Sequence, residues 1–323
     1  MASVGLDTYK VGFDSTVHRT VEVKGGLLRP YVRVASGDLY RNEGVYQRMS
    51  GGGLPSKRTN RFGDSPVSQS DYSRRRVRRD DFEDGQFVDW SDVGRMAFDP
   101  RHEKLDIMLC KFRRNEDIII TQGLLGTAKG GDNGESNVDL AAGQVVDVTI
   151  GALSGDTNAG FNYEKLMATI ESFGSAGVDI VAQSPTVVIS WKQWLDIRRD
   201  DKFINADYTT FKTDGGIGFW NYMGIQFIVS NIVPFMNTAG TGVNVDSISS
   251  TAGTFTDADT TDIRACFAFL PQAGLLEINP DITTKIAERA DKGFNWYAYI
   301  AMSLGSVRME EELVRVIPCD QSP

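Results

Sequence analysis

The sequence predicts an α+β protein in which one long helix covers a sheet built from C-terminal strands. Three observations predict it. An amphipathic stripe runs without interruption from Asp99 to Gly126; strand-like runs separated by Pro, Gly and Asp turns fill the chain after Cys266; and the arginine-rich stretch Tyr72 to Arg79 has no apolar face to bury.

Length and composition set the frame for these elements. A chain of 323 residues is long enough for one large domain or two closely joined ones, with no need of disulfide or metal staples. Hydrophobic residues at 41% and charged ones at 24% are ordinary for a globular protein, while 33 glycines against 10 prolines point to many turns. The net charge of −9 argues against a protein whose task is gripping nucleic acid. That average hides a split: residues 1–80 are net basic by +7, which leaves −16 on the remainder, an asymmetry that favours self-association. Cys110, Cys266 and Cys319 are odd in number and lack CxxC spacing, so reduced thiols are expected. The N-terminus shows no signal-peptide pattern and no stretch approaches the ~20 apolar residues of a membrane span, so assembly in the cytosol and no membrane partner are expected.

Residues 1 to about 45 alternate short apolar runs with polar ones, as in an arm that needs a surface to lie on. From Met49 to Asp71, Gly51-Gly52-Gly53, Pro55, Gly63 and Pro66 make a loop. In Tyr72 to Arg79, strand alternation places Arg74, Arg76 and Arg78 on one face and Arg75, Val77 and Arg79 on the other. Neither face is expected to bury against its own core, so the segment should meet solvent or another subunit; a solvated charged loop is the competing reading, and nucleic-acid binding is weakened by the acidic run Asp80 to Asp84 that follows.

The long helix has Asp99 as N-cap, Pro100 at its first position and Glu103 in its first turn. Leu105, Met108, Leu109, Phe112, Ile119 and Ile120 form its stripe, and Arg113 is placed to reach Asp117 at i+4. About 27 residues at ~1.5 Å rise make a rod of roughly 40 Å. Further on, Asn162 caps a helix carrying Leu166, Met167, Ile170 and Phe173 and closed by Gly174. Thr186 to Ser190 and Ile225 to Ser230 read as strands, and Trp191 to Arg199 as a short helix whose Trp191 and Trp194 belong to the core. Thr238 to Thr261 is too polar for a core. Cys266–Leu270, Leu275–Ile278, Ile282–Ile286, Phe294–Ile300 and Leu313–Ile317 then read as an antiparallel sheet for the long helix to cover.

The search for chemistry finds little. His18 and His102 are the two histidines, each expected at the surface, and no GxSxG, HExxH or EF-hand pattern accompanies them. Gly126 to Gly131 looks superficially like a phosphate loop but follows a helix and lacks the GxxxxGK[ST] spacing. Asp200-Asp201 and Glu310-Glu311-Glu312 read as solvated acidic faces, because consecutive residues point to different sides. No catalytic residue, cofactor or metal is expected, and the chain is read as a non-enzyme.

The order of parts resembles the major capsid proteins of tailed bacteriophages, with the Hong Kong 97-like fold. The residues that carry the resemblance are the arginine-rich segment before Trp90, the helix from Asp99-Pro100 ending in Asn115 to Gly126, the tail Leu304 to Val314, and Phe203 to Tyr208 followed by Gly215-Gly216-Ile217-Gly218 and the strand Ile225 to Val229. The resemblance implies an N-terminal arm over 1–45, an extended E-loop over 46–92, a P-domain over 93–160 with its spine helix at about 99–126, an A-domain over 161–262 and return strands of the P-domain over 263–323. It further implies hexamers and pentamers in an icosahedral virion shell around double-stranded DNA that the inner wall does not bind specifically, with a scaffolding protein and a portal as partners, assembled in the host cytoplasm. The E-loop would lie over a neighbour's P-domain, making Arg74, Arg75, Arg76, Arg78 and Arg79 the inter-subunit residues; charge reversal at Arg75, Arg76 and Arg78 is then expected to block assembly and leave the monomer folded. Alternatives are an encapsulin-like compartment shell, a hydrolase without a recognisable motif, and a small-molecule or carbohydrate module resting on Trp220 and Tyr222.

Overall fold

A computed structural model describes residues 25–38, 41–50, 55, 57–61, 63, 67, 69–91, 100–131, 133–152, 158–204, 219–236, 243–244 and 263–321. The chain begins with β1 (Arg33–Ser36), a hairpin of β2 (Glu43–Ser50) and β3 (Asp71–Arg78), and β4 (Asp80–Val88). Helix α1 (Pro100–Leu125) follows, within a residue of the predicted ends, with Pro100 at a position whose N–H would have no partner in any case. After it, β5 (Ala128–Gly130) and β6 (Ser136–Val138) pair with each other, so the Gly126 to Gly131 run builds sheet. Next come α2 (Tyr163–Ser175), β7 (Thr186–Ile189), α3 (Trp191–Arg199), α4 (Asp201–Ile204), β8 (Phe219–Tyr222), β9 (Ile225–Val229) and the short β10 (Phe235–Met236) and β11 (Val243–Asn244). Asn162 caps α2 as predicted, its side chain accepting the Lys165 amide at 2.8 Å. The C-terminal part is β12 (Ile263–Phe269), β13 (Gly274–Ile278), β14 (Thr283–Arg289), β15 (Asn295–Arg308) and β16 (Val314–Asp320).

These strands form three sheets. In the five-stranded one, β15 continues past the predicted end at Ile300 to Arg308, long enough to hold β14 and β13 one after the other along one edge and β4 along the other, with β1 outermost beside β13. The four-stranded sheet runs β2-β3-β5-β6. The seven-stranded sheet contains β7, β8, β9, β10 and β11, and also β12 and β16.

Three expectations need correction here. β12 and β16 were expected with the strands that cover the long helix, yet they pair with each other and β12 with β7. Both are buried along nearly their whole length, including Arg264 and Arg315, which interrupt their apolar runs. The sheets are also not wholly antiparallel, since β1 runs parallel to β13 and β7 parallel to β9. Finally, Trp191 is exposed, with Trp194 packed edge-on at 6.1 Å, so this pair lies at the margin of the core.

One core joins the layers. Met108, Phe112, Ile120 and Leu124 of α1 pack on Ala298, Ile300, Met302 and Leu304 of β15, and the same cluster continues into Val187, Phe227 and Phe267 of the seven-stranded sheet. Each fully buried large side chain of this kind contributes about 1.5–3 kcal/mol.

Part of the expected arm lies on its own body. Gly25 sits at φ +67°, and a Cβ there would come within 2.5 Å of the Arg114 backbone nitrogen, so the chain crosses α1 at a distance only glycine permits. Asp117, fully buried, accepts the amides of Leu27 at 3.1 Å and Leu28 at 3.0 Å, which replaces the expected pairing with Arg113. Beside it, Glu116 lies 3.4 Å from Arg29, which also bonds Asp281 at 2.9 Å. Burial pushes the Glu116 carboxyl up to about 7, against the pull of Arg29. A carboxyl raised in this way stabilises the fold below its unfolded value near 4.5, and that contribution is lost as pH rises through about 7. Glu116→Gln is therefore expected to be more stable than the natural chain at pH 8, by roughly 3 kcal/mol, and nearly equal to it at pH 4. Thermal melts at the two pH values check this; equal effects at both would mean a carboxyl ionised throughout.

Candidate functional site

The site is the root of the β2–β3 hairpin. β3 pairs along its whole length with β2, from Glu43 opposite Arg78 to Ser50 opposite Asp71. The predicted alternation holds, but its consequence does not: Arg75, Val77 and Arg79 turn inward and are 6%, 1% and 7% exposed, so one face does bury against the chain's own core. They meet the face of β13 and β15 opposite α1, where Val77 packs with Ala128, Leu275, Val307 and Met309. Gly305 makes this close approach feasible, because a Cβ there would collide with the Arg78 carbonyl.

Two glutamates, Glu277 buried and Glu311 partly buried, bolt this inner face down. Glu311 takes Arg75 at 2.6 Å and Arg48 at 3.1 Å, with Arg308 at 3.9 Å. Glu277 lies 3.3 Å from Arg79 and accepts the Tyr46 hydroxyl at 3.0 Å, in a cradle where side chains at Gly37 or Gly44 would strike its carboxylate. Burial, then the charge of Glu277, pushes the Tyr46 hydroxyl up to about 12, so it stays a donor. Arg79 also donates to the carbonyls of Asn279 and Asp38, tying the β3–β4 corner to the loops on either side.

Arg308 completes the arrangement. It is fully buried and donates to the carbonyls of Leu124 at 2.8 Å, Gly126 at 2.7 Å and Val138 at 2.8 Å. The last carbonyls of a helix lack intrahelical donors and carry partial negative charge, so a guanidinium here satisfies and neutralises the end of α1 while holding β6 against it.

The outer face differs. Arg76 pairs with Glu43 at 2.7 Å, Arg78 is 78% exposed and 4.0 Å from Asp80, and Arg74 is exposed. The five arginines thus divide into two that are internal fixtures, Arg75 and Arg79, and three that face outward. Charge reversal at Arg75 would strike a buried ion pair, so the expectation of a folded monomer fails for that position.

Other candidates resolve as structure. Asp200 accepts the amides of Tyr163 and Lys202, each at 3.0 Å, and so caps helices. Tyr222 is buried, its ring 5.1 Å from Phe203, and is no part of an open platform; the side chains of Trp220, His18 and His102 lie outside the described residues. Among the described residues no group of His, Cys, Asp and Glu is arranged to hold a metal ion, and no helix is long and apolar enough to cross a membrane. Cys266 and Cys319 are buried free thiols.

Sequence reasoning missed Glu277, Glu311, Arg308 and Asp117 as fixtures. A signal existed for two of them: Glu277 interrupts Leu275-Leu276 and Ile278, and Arg308 lies between Val307 and Met309. A charge inside an apolar run is a buried charge, and buried charges require partners.

The described residues thus form a helix laid on one sheet, a second sheet sharing its core, and a charged hairpin bolted at its root. The phage capsid protein family model matches residues 6–321, and the chain belongs to that family. It is similar to the capsid protein of cyanophage P-SCSP1u, at 14% identity and TM-score 0.67 over 98% of this chain and 94% of the other. Ralstonia phage GP4 capsid gives 11% identity and TM-score 0.67 over 99% and 98%, and the cyanophage Pam1 capsid 13% and 0.65 over the full length of both. No curated protein matches. The family match selects a phage major capsid protein, a structural component of the virion, over the compartment shell, the hydrolase and the binding module.

Proposed function

We propose that this chain is the repeating subunit of an icosahedral shell of hexamers and pentamers enclosing double-stranded DNA, and that Arg74, Arg76 and Arg78 on the outer face of β3 meet acidic groups of the next subunit. The observation that carries the contact is the two-sidedness of β3: its inner arginines are locked to Glu277 and Glu311, so the outer row is held at a set angle from the body. A rigid basic row on a chain whose residues 81–323 carry −16 suits repeated contact between copies. Each such exposed pair is worth at most about 1 kcal/mol, but it recurs at every subunit. The same acidic balance suits an inner wall that DNA does not adhere to, and assembly in the host cytoplasm with a scaffolding protein and a portal completes the proposal.

The double variant Arg74→Glu, Arg78→Glu tests it. The variant should keep the melting temperature of the natural chain, since both side chains are exposed, and lose assembled particles in electron micrographs. Normal particles from a folded variant would remove the outer row from the interface.

A further inference from the structure

We infer that Asn133, in the turn between β5 and β6, is a self-modification site: its carboxamide is lost as ammonia, leaving a carboxylate that offsets the outer arginine row. The effect on assembly rests on the outer-row contact proposed above; the chemistry does not. Asn133-Gly134 is the single Asn-Gly pair in the sequence. Asn-Gly is a favoured hairpin-turn dipeptide, and Gly134 sits at φ +74°, which glycine adopts freely. The turn accounts for the pair, and its exposure adds a reactivity that the turn does not require. Asn133 is exposed, and its backbone N–H donates to the Glu135 carboxylate at 3.0 Å. Among the described residues, its carboxamide and the Gly134 amide make no hydrogen bond.

Glycine carries no Cβ to shield its nitrogen from the side chain before it. Once hydroxide takes the Gly134 amide proton, that nitrogen attacks Asn133 Cγ, the bond from Cγ to the side-chain nitrogen breaks, and ammonia leaves with a proton from water. The product is a cyclic imide. Water opens it at either carbonyl: cleavage at Cγ leaves aspartate, and cleavage at the backbone carbonyl leaves isoaspartate. The sum is amide plus water giving acid plus ammonia, with no oxidant or reductant.

Position gives the new charge its consequence. A Cβ at Gly134 would stand 3.2 Å from Cδ and 3.5 Å from Nε of Arg76, so the turn lies against the middle arginine of the outer row. Arg74 lines the same cavity of about 570 Å³ as Gly131 and Glu135 of this turn. Successive Cα atoms are ~3.8 Å apart, which sets the carboxylate inside the ~8 Å over which charges act at physiological salt. Arg76 already has Glu43 at 2.7 Å. A further negative charge there weakens the attraction of the row for acidic groups of the next subunit. Fresh chains therefore present the basic row in full, and chains that have stood unassembled carry a mark of age.

The natural chain, held at pH 8 in water labelled with heavy oxygen and digested for mass spectrometry, should convert at Asn133 before any other described asparagine. Conversion should run about tenfold faster at pH 8 than at pH 7, because the attacking group is the deprotonated amide. When half the chains are converted and the mixture is allowed to assemble at pH 7, converted chains should be at least threefold enriched among those left outside the particles. Asn133→Gln, whose longer side chain closes the ring poorly, should survive the same treatment and assemble like fresh natural chain. Asn133→Asp should melt at the natural temperature and need at least a threefold higher concentration to form particles. Asn133 still intact after the treatment, or converted chains shared evenly between particles and solution, overturns the inference. If Asn133 converts but neither the conversion nor the Arg74→Glu, Arg78→Glu variant alters assembly, the outer-row reading falls and the consequence with it, a result distinct from a row that matters beside an asparagine that does not react.

Discussion

Arg308→Met is expected to lower the unfolding free energy by roughly 3–5 kcal/mol. Methionine fills similar space but donates nothing, so the carbonyls of Leu124, Gly126 and Val138 all lose the donor they share. A buried acceptor left unpaired costs about 1–3 kcal/mol, and the end of α1 loses the positive charge that opposes its dipole. Urea denaturation should show a lower midpoint with an unchanged slope. Arg308→Lys keeps the charge on a single nitrogen and cannot serve three carbonyls in the fork geometry of a guanidinium, so an intermediate midpoint is expected. A midpoint equal to that of the natural chain for Arg308→Met would show that the cap contributes nothing.

The second large effect is expected at Glu277. Glu277→Gln leaves the Arg79 side chain, 3% exposed, without a counter-charge in a site closed by Gly37, Gly44 and Tyr46. Breaking a buried pair from one side costs about 3–5 kcal/mol, because the remaining ion stays desolvated. Pairing the change with Arg79→Gln should recover part of that loss, giving a coupling of at least 1 kcal/mol in a double-mutant cycle. Full recovery is not expected, since Arg79 also serves the carbonyls of Asn279 and Asp38. Hydrogen exchange supplies a local reading: amides of β2 and β3 around Tyr46 and Val77 should exchange faster in Glu277→Gln, while those of β12 should change only as global stability does. Additive single effects would mean that Glu277 and Arg79 hold the hairpin independently.

The two glutamates also explain why the hairpin root was only half legible. Alternation along β3 could be read from Tyr72 to Arg79, because side chains of a strand must point to opposite faces. With arginine on both faces, hydrophobicity could not say which one turned inward. The residues that decide it are distant in the chain: Glu311 is 236 positions from Arg75. The helix pairing expected between Arg113 and Asp117 failed for a similar reason, since the Leu27 and Leu28 amides, some ninety residues upstream, take the Asp117 carboxylate. β12 and β16 were recognisable as strands but not assignable to a sheet, because an apolar run satisfies any buried position.

By itself the sequence determined the elements that depend on neighbours a few positions away: the ends and apolar stripe of α1, the Asn162 cap of α2, the short strands β7 and β9, and the two faces of β3. Local backbone sterics and side-chain periodicity set all of these. Tertiary structure alone decided which arginines are bolts and which face outward, and that Arg308 ends the long helix. The reason is physical: the free energy of a buried charge depends on what surrounds it, and those surroundings exist only once strands far apart in the chain have paired.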